Sequence, residues 1–184
     1  MMPIGPLMIE HRLIERTVRL MKEDLHRISE TSEVDPAFID VAVDFVKTYA
    51  DKCHHGKEED ILFRDLANKQ LSPEHKKVMS ELMEEHIYAR KTTRRLAGAK
   101  ERYEQGDKDA VEEVMACLKE LTEFYPAHIE KEDRHFFIPC MEYFSKQEQA
   151  DMLAEFWEFD RKLVHERYRL VVEQLEERSK APNA

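Results

Sequence analysis

Residues that make turns and cross-links are scarce in this chain. It has four glycines and seven prolines among 184 residues. That is too little turn chemistry to join many short strands, and no β-branched run reads as one. An all-β sandwich or barrel is therefore excluded. The three cysteines, Cys53, Cys117 and Cys140, form no C-x-x-C pair. So sparse and odd a set gives neither a disulfide framework nor a thiolate zinc site, and it fits reduced thiols. No apolar run approaches the roughly 20 residues of a membrane-spanning helix. The opening Met1-Met2-Pro3-Ile4-Gly5-Pro6 has neither the charged nor the apolar region of a signal peptide, so a cytoplasmic location is expected. Basic residues are outnumbered, 29 against 39 acidic, for a formal net charge of −10. Nucleic acids and anionic membrane surfaces both call for a basic footprint, so neither is expected as a partner.

What is abundant is helix-forming. Long stretches rich in Glu, Lys, Leu, Ala and Arg, 42% hydrophobic overall, read as helices with one buried face. Five helices are expected, over about residues 7–29, 36–71, 73–105, 107–139 and 145–178. Asp35-Pro36 and Ser72-Pro73 are cap-plus-first-turn signals, and Gly106 ends the third helix. Leu13, Leu20, Met21, Leu25 and Ile28 form the apolar line of the first helix. Phe38, Val41, Phe45, Val46, Tyr49, Leu62 and Leu66 form that of the second. Pro126 is expected to kink or restart the fourth helix just before His128. Gly56, in mid-helix, costs about 1 kcal/mol relative to Ala, so either the backbone relaxes there or a neighbour needs the space. The short links predict an antiparallel up-down four-helix bundle in one domain of 184 residues. The fifth helix, with Leu153, Phe156, Trp157, Leu163, Val164, Val171 and Leu175 apolar, covers the bundle or joins a partner.

The chemistry lies in a helix pair that is written twice. Glu10-His11 is followed by His55-Gly56-Lys57-Glu58-Glu59-Asp60, and Glu85-His86 by His128-Ile129-Glu130-Lys131-Glu132-Asp133. Both late segments read His-x-x-x-Glu-Asp, with Phe63 and Phe136 eight residues past each His. Positions i and i+4 share a helix face, so each segment aims an imidazole and a carboxylate at one point. With the two early histidines this predicts a metal site of His11, His55, Glu59, His86, His128 and Glu132, where both carboxylates bridge two ions. Such donors suit iron, manganese or zinc. His54 competes with His55, because Glu58 lies four residues after it. The register of Asp60 and Phe63 against Asp133 and Phe136 favours His55 with Glu59. His135 is a candidate outer ligand, Arg90, Tyr49 and Tyr125 are candidate pocket residues, and His26, His75 and His165 read as surface histidines.

This ligand order on four helices resembles the hemerythrin-like, or HHE cation-binding, domain. The resemblance covers about residues 7–140 and is carried by His54-His55-Gly56-Lys57-Glu58-Glu59-Asp60-Ile61-Leu62-Phe63 and by the segment His128 to Asp133. It implies a di-iron centre, one iron on His11 and His55 and the other on His86 and His128. Glu59 and Glu132 would bridge them, with an oxo or hydroxo group as third bridge and zinc or manganese as substitutes. Oxygen-carrying members pair a fifth histidine with the third-helix ligand, whereas here Leu82 and Arg90 stand one turn either side of His86. They also use an Asp five residues after the last His, where this chain offers Glu132 at four and Asp133 at five. An imidazole fewer implies an extra open position on one iron.

The resemblance implies a protein that binds or senses O2 or NO at the iron pair. The alternative is a di-iron enzyme reducing NO or peroxide, or aiding iron–sulfur cluster repair, with electrons from a donor protein. The missing imidazole favours this enzyme. A ferritin-like site is a third reading, since Glu23-x-x-His26 and Glu132-x-x-His135 are present. They fall on the first and fourth helices rather than on the alternate helices of a duplicated pair.

Overall fold

A computed structural model describes residues 2–180, with side chains described through Leu163. The chain forms five helices and, among the described residues, no strand. Helix α1 is Ile4–Thr31 and α3 is Pro73–Glu104. Helix α2 covers residues 36–67. It starts as an α-helix at Pro36–Phe45, widens to a π-helix at Val46–His55 and again at Glu58–Phe63, and closes with Arg64–Ala67. Helix α4 covers residues 110–140, with a π stretch at Lys131–Phe136. Helix α5 is Lys146–Lys180.

Local chemistry sets the helix ends. Asp35 Oδ1 accepts from the N–H groups of Ala37 and Phe38 ahead of Pro36, and Ser72 Oγ accepts from His75 N–H ahead of Pro73. Gly106 takes φ 97° just past α3, where a side chain would be strained. Pro126 does not restart its helix. The α-helix Ala110–Glu130 runs through it, and the irregular π stretch comes later, at the residues that carry the chemistry.

The helices pack in a ring, α1 against α2 and α4, and α3 against α2 and α4. Two apolar clusters fill the bundle on either side of a polar layer. One runs from Ile14 and Met21 to Leu118, Tyr125 and Ile129. The other holds Ile4, Leu7, Leu62, Phe63, Leu82, Phe136, Phe137 and Phe156. His11 lies in sequence between Leu7 and Ile14, and His128 between Tyr125 and Phe136, so the polar layer is sealed at both ends. The expected apolar lines hold for Met21, Ile28, Val46, Leu62 and Leu66, which are buried. Leu13, Leu20 and Val41 are instead exposed, being apolar residues outside the buried stripe.

Helix α5 covers the bundle. Phe156 is buried, and Phe159 sits against Gly56, where an added Cβ would meet its ring at 2.8 Å. A neighbour therefore needs the space at Gly56. Trp157 is exposed. Val164, Val171 and Leu175, expected on the same stripe, lie outside the described side chains.

Candidate metal centre

Four helices bring seven buried side chains into the polar layer: His11 from α1, His54, His55 and Glu58 from α2, His86 from α3, and His128 and Glu132 from α4. They divide into two groups, each tight enough to hold a metal ion. One is His55, His86 and His128. The other is His11, His54, Glu58 and Glu132. Each carboxylate reaches toward both groups. Glu58 places Oε1 3.2 Å from His54 Nε2 and Oε2 3.4 Å from His86 Nε2. Glu132 places Oε2 3.2 Å from His11 Nε2 and Oε1 3.3 Å from His128 Nε2.

Five of the six residues expected from the sequence meet here: His11, His55, His86, His128 and Glu132. The sixth does not, and the register is corrected by one residue. Glu58 faces the layer, while Glu59 lies outside it, accepting from His86 Nδ1–H at 2.6 Å and pairing with Arg90 at 2.9 Å. The π-helix is the physical reason. Its wider turn swings successive side chains through a smaller angle, so the adjacent His54 and His55 both stay inward and Glu58 follows His54 by four. His54 thus supplies the fifth imidazole that the sequence reading found missing. The repeat aligns His54, Lys57, Glu58 and Glu59 with His128, Lys131, Glu132 and Asp133, and His55 has no counterpart. Lys57 and Lys131 were the legible signal, because they match only in this register. His135 is exposed, and His75 bonds Tyr143, so neither joins the layer. His26 is exposed beside Glu30, while the side chain of His165 lies outside the described residues.

A second layer of carboxylates orients the imidazoles, and it too is duplicated. Glu10 accepts from His54 Nδ1–H at 2.9 Å and Glu85 from His128 Nδ1–H at 2.8 Å. Asp133 accepts from His11 Nδ1–H at 2.7 Å. Lys57 and Lys131 in turn hold Glu10 and Glu85, and Arg12 holds Asp133. With the outer nitrogen protonated and donating, the lone pair of Nε2 points inward, as in metal-bound histidines backed by a carboxylate.

The fit to a cation rests on the buried polar atoms. Nε2 of all five histidines and both oxygens of Glu58 and Glu132 have no hydrogen-bond partner among the described residues. Buried polar groups are ordinarily paired, and a cluster of inward lone pairs and carboxylate oxygens is what a metal ion satisfies. Without a cation, protons serve instead. Burial opposes charge on His54, but Glu58 and Glu10 outweigh it and push its pKa up to about 10. His86 goes up to about 9, burial being outweighed by Glu132 and Glu59. His55 goes down, through burial and repulsion from His86, His128 and His54.

No helix among the described residues is long and apolar enough to cross a membrane. No curated protein and no solved structure matches the chain. Residues 2–138 match the family model described as the hemerythrin HHE cation binding domain. That match and the buried histidine–carboxylate layer lead to one conclusion: the chain belongs to the hemerythrin HHE cation-binding family.

Proposed function

We propose that the chain holds two iron ions in the polar layer and binds a diatomic ligand, O2 or NO, at the ion with fewer protein donors. The observation that carries this is the splay of Glu58 and Glu132, each with one oxygen toward His11 or His54 and the other toward His86 or His128. A shared carboxylate needs that arrangement. With one nitrogen per histidine and one oxygen per carboxylate, an ion held by His55, His86 and His128 would have five protein donors, and one held by His11 and His54 would have four. The second ion would therefore keep the more open position. Bound iron would supply a redox-active centre able to take up such a ligand. The outer carboxylates fix each imidazole, and the two apolar clusters keep bulk water from the layer.

The enzyme alternative drew on a missing imidazole, and His54 removes that motive. The test is metal analysis of protein purified anaerobically from iron-replete cells, with optical spectra before and after air. Two irons per chain and a visible band that appears with O2 and reverses on its removal are expected. One metal or none, or zinc alone, would overturn the reading. One-way oxidation, with turnover of NO or peroxide by an added reductant, would reinstate the enzyme.

A further inference from the structure

Of the five inward histidines, four have a protein carboxylate on Nδ1, and His55 is the exception. Neither of its ring nitrogens has a hydrogen-bond partner among the described residues. The nearest carboxylate oxygen, Asp51 Oδ1, is 3.5 Å from Nδ1, too far for a good hydrogen bond, and it accepts instead from Arg90 Nε at 2.7 Å. A cavity of about 210 Å³ opens at this place between α2 and α3, lined by His55, Asp51, Arg90, Arg94, Lys47 and Tyr125 among others. The Tyr125 residue is 1% exposed, and its hydroxyl, on the cavity wall, has no partner among the described residues. Lys47 and Arg94 are exposed and have no ion pair among the described residues. In a chain of net charge −10, this is a local reversal of sign.

We propose that the cavity binds a small planar oxyanion of the formate or nitrite kind. One oxygen accepts from His55 Nδ1–H and Tyr125 O–H, taking the place that Asp133, Glu10, Glu59 and Glu85 take on the other four histidines. Lys47 and Arg94 draw the anion in, since opposite charge steers a ligand to a cleft. The anion makes His55 a more basic donor, as outer carboxylates do for metal-bound imidazoles. The proposal rests on the metal centre above only in assigning Nε2 of His55 to the ion, which leaves the proton on Nδ1.

The test is calorimetric titration of sodium formate into metal-free and metal-loaded protein at low ionic strength, for the parent, Tyr125→Phe and Arg94→Glu. Saturable binding is expected in the parent. Tyr125→Phe is expected to weaken it about tenfold, by loss of one hydrogen bond to a charged acceptor. Arg94→Glu, a surface change, is expected to weaken it and flatten its salt dependence. The His55 Nδ1–H resonance is expected to move with formate. No saturable binding, or binding indifferent to both substitutions because formate sits on the metal itself, would overturn the proposal. Metal content is assayed separately. A protein that takes up no metal refutes the metal centre. The one proton of its neutral His55 can still sit on Nδ1, so saturable formate binding weakened by Tyr125→Phe and Arg94→Glu would uphold the anion site in that protein, and its absence would overturn it.

Discussion

In the proposed di-iron centre, the adjacent pair Glu58 and Glu59 would separate a donor to the metals from a residue that only orients a ligand histidine. Glu58 is fully buried, and its two oxygens face His54 and His86. Replacing it with Gln leaves one amide oxygen where there were two carboxylate oxygens, so it would take a donor from one of the two ions and break the bridge between them, and it removes one of two negative charges in the layer. Loss of one partner from a buried charge cluster costs roughly 3–5 kcal/mol, so metal affinity should fall roughly 150- to 5,000-fold. Glu59 is 24% exposed, and among the described residues its ion-pair partners are His86 Nδ1 and Arg90. Loss of such an outer partner weakens metal binding roughly 10–100-fold, or about 1.4–2.8 kcal/mol. Its partial exposure and the attraction of its charge to Arg90 place Glu59→Gln near the lower end. The assay is iron per chain after dialysis against a graded chelator series. Glu58→Gln is expected to hold one ion or none, and Glu59→Gln to hold both with the midpoint shifted. If Glu59→Gln lost the metals while Glu58→Gln kept them, the inward register of the π-helix would be refuted.

Three further outcomes are expected. In the metal-free protein, His54 and His86 titrate at about 10 and about 9, above the ordinary 6.5. A pKa raised by folding contributes stability that is fully present below the unfolded value and lost as pH rises through the folded one. With chelator present, Tm should therefore fall from about pH 7 to pH 10, whereas an increase over that range would contradict the charge arrangement. Lys57, fully buried between Glu10 and Asp160, and Lys131, 28% exposed beside Glu85, test the asymmetry that α5 imposes on the repeat. In urea unfolding Lys57→Met should cost about 3 kcal/mol and Lys131→Met under about 1 kcal/mol, and equal losses would deny that α5 buries the first site. Gly56→Ala should stabilise a Phe159→Ala background by about 0.5–1 kcal/mol and give no such gain in the parent, where the new Cβ meets the ring. Equal effects in both backgrounds would remove Phe159 as the reason for glycine.

The helices and their caps were legible because their signals are local. Asp35-Pro36, Ser72-Pro73 and Gly106 each act within one turn of backbone. The metal chemistry was legible because the repeat sets a histidine and a carboxylate on one helix face twice. The exposure of Leu13, Leu20 and Val41 was not legible, because an apolar residue at helical spacing does not state how wide the buried stripe is. Nor was the continuity of α4 through Pro126. A proline removes one backbone donor, and packing on both sides of the helix decides whether the turn survives.

By itself the sequence determined an all-helical chain, the order of the candidate ligands along four helices, and five of the seven residues in the polar layer. Only the tertiary structure decided between Glu58 and Glu59, and whether His54 and His55 compete or both contribute. A one-residue choice of register depends on the local width of the turn, and α2 widens to a π-helix at Val46–His55 and Glu58–Phe63, which a spacing counted at about 3.6 residues per turn does not anticipate. The carboxylates behind His11 and His86 were likewise out of reach from sequence. Asp133 and Glu59 reach them from other helices, and only folding brings those atoms within hydrogen-bond distance.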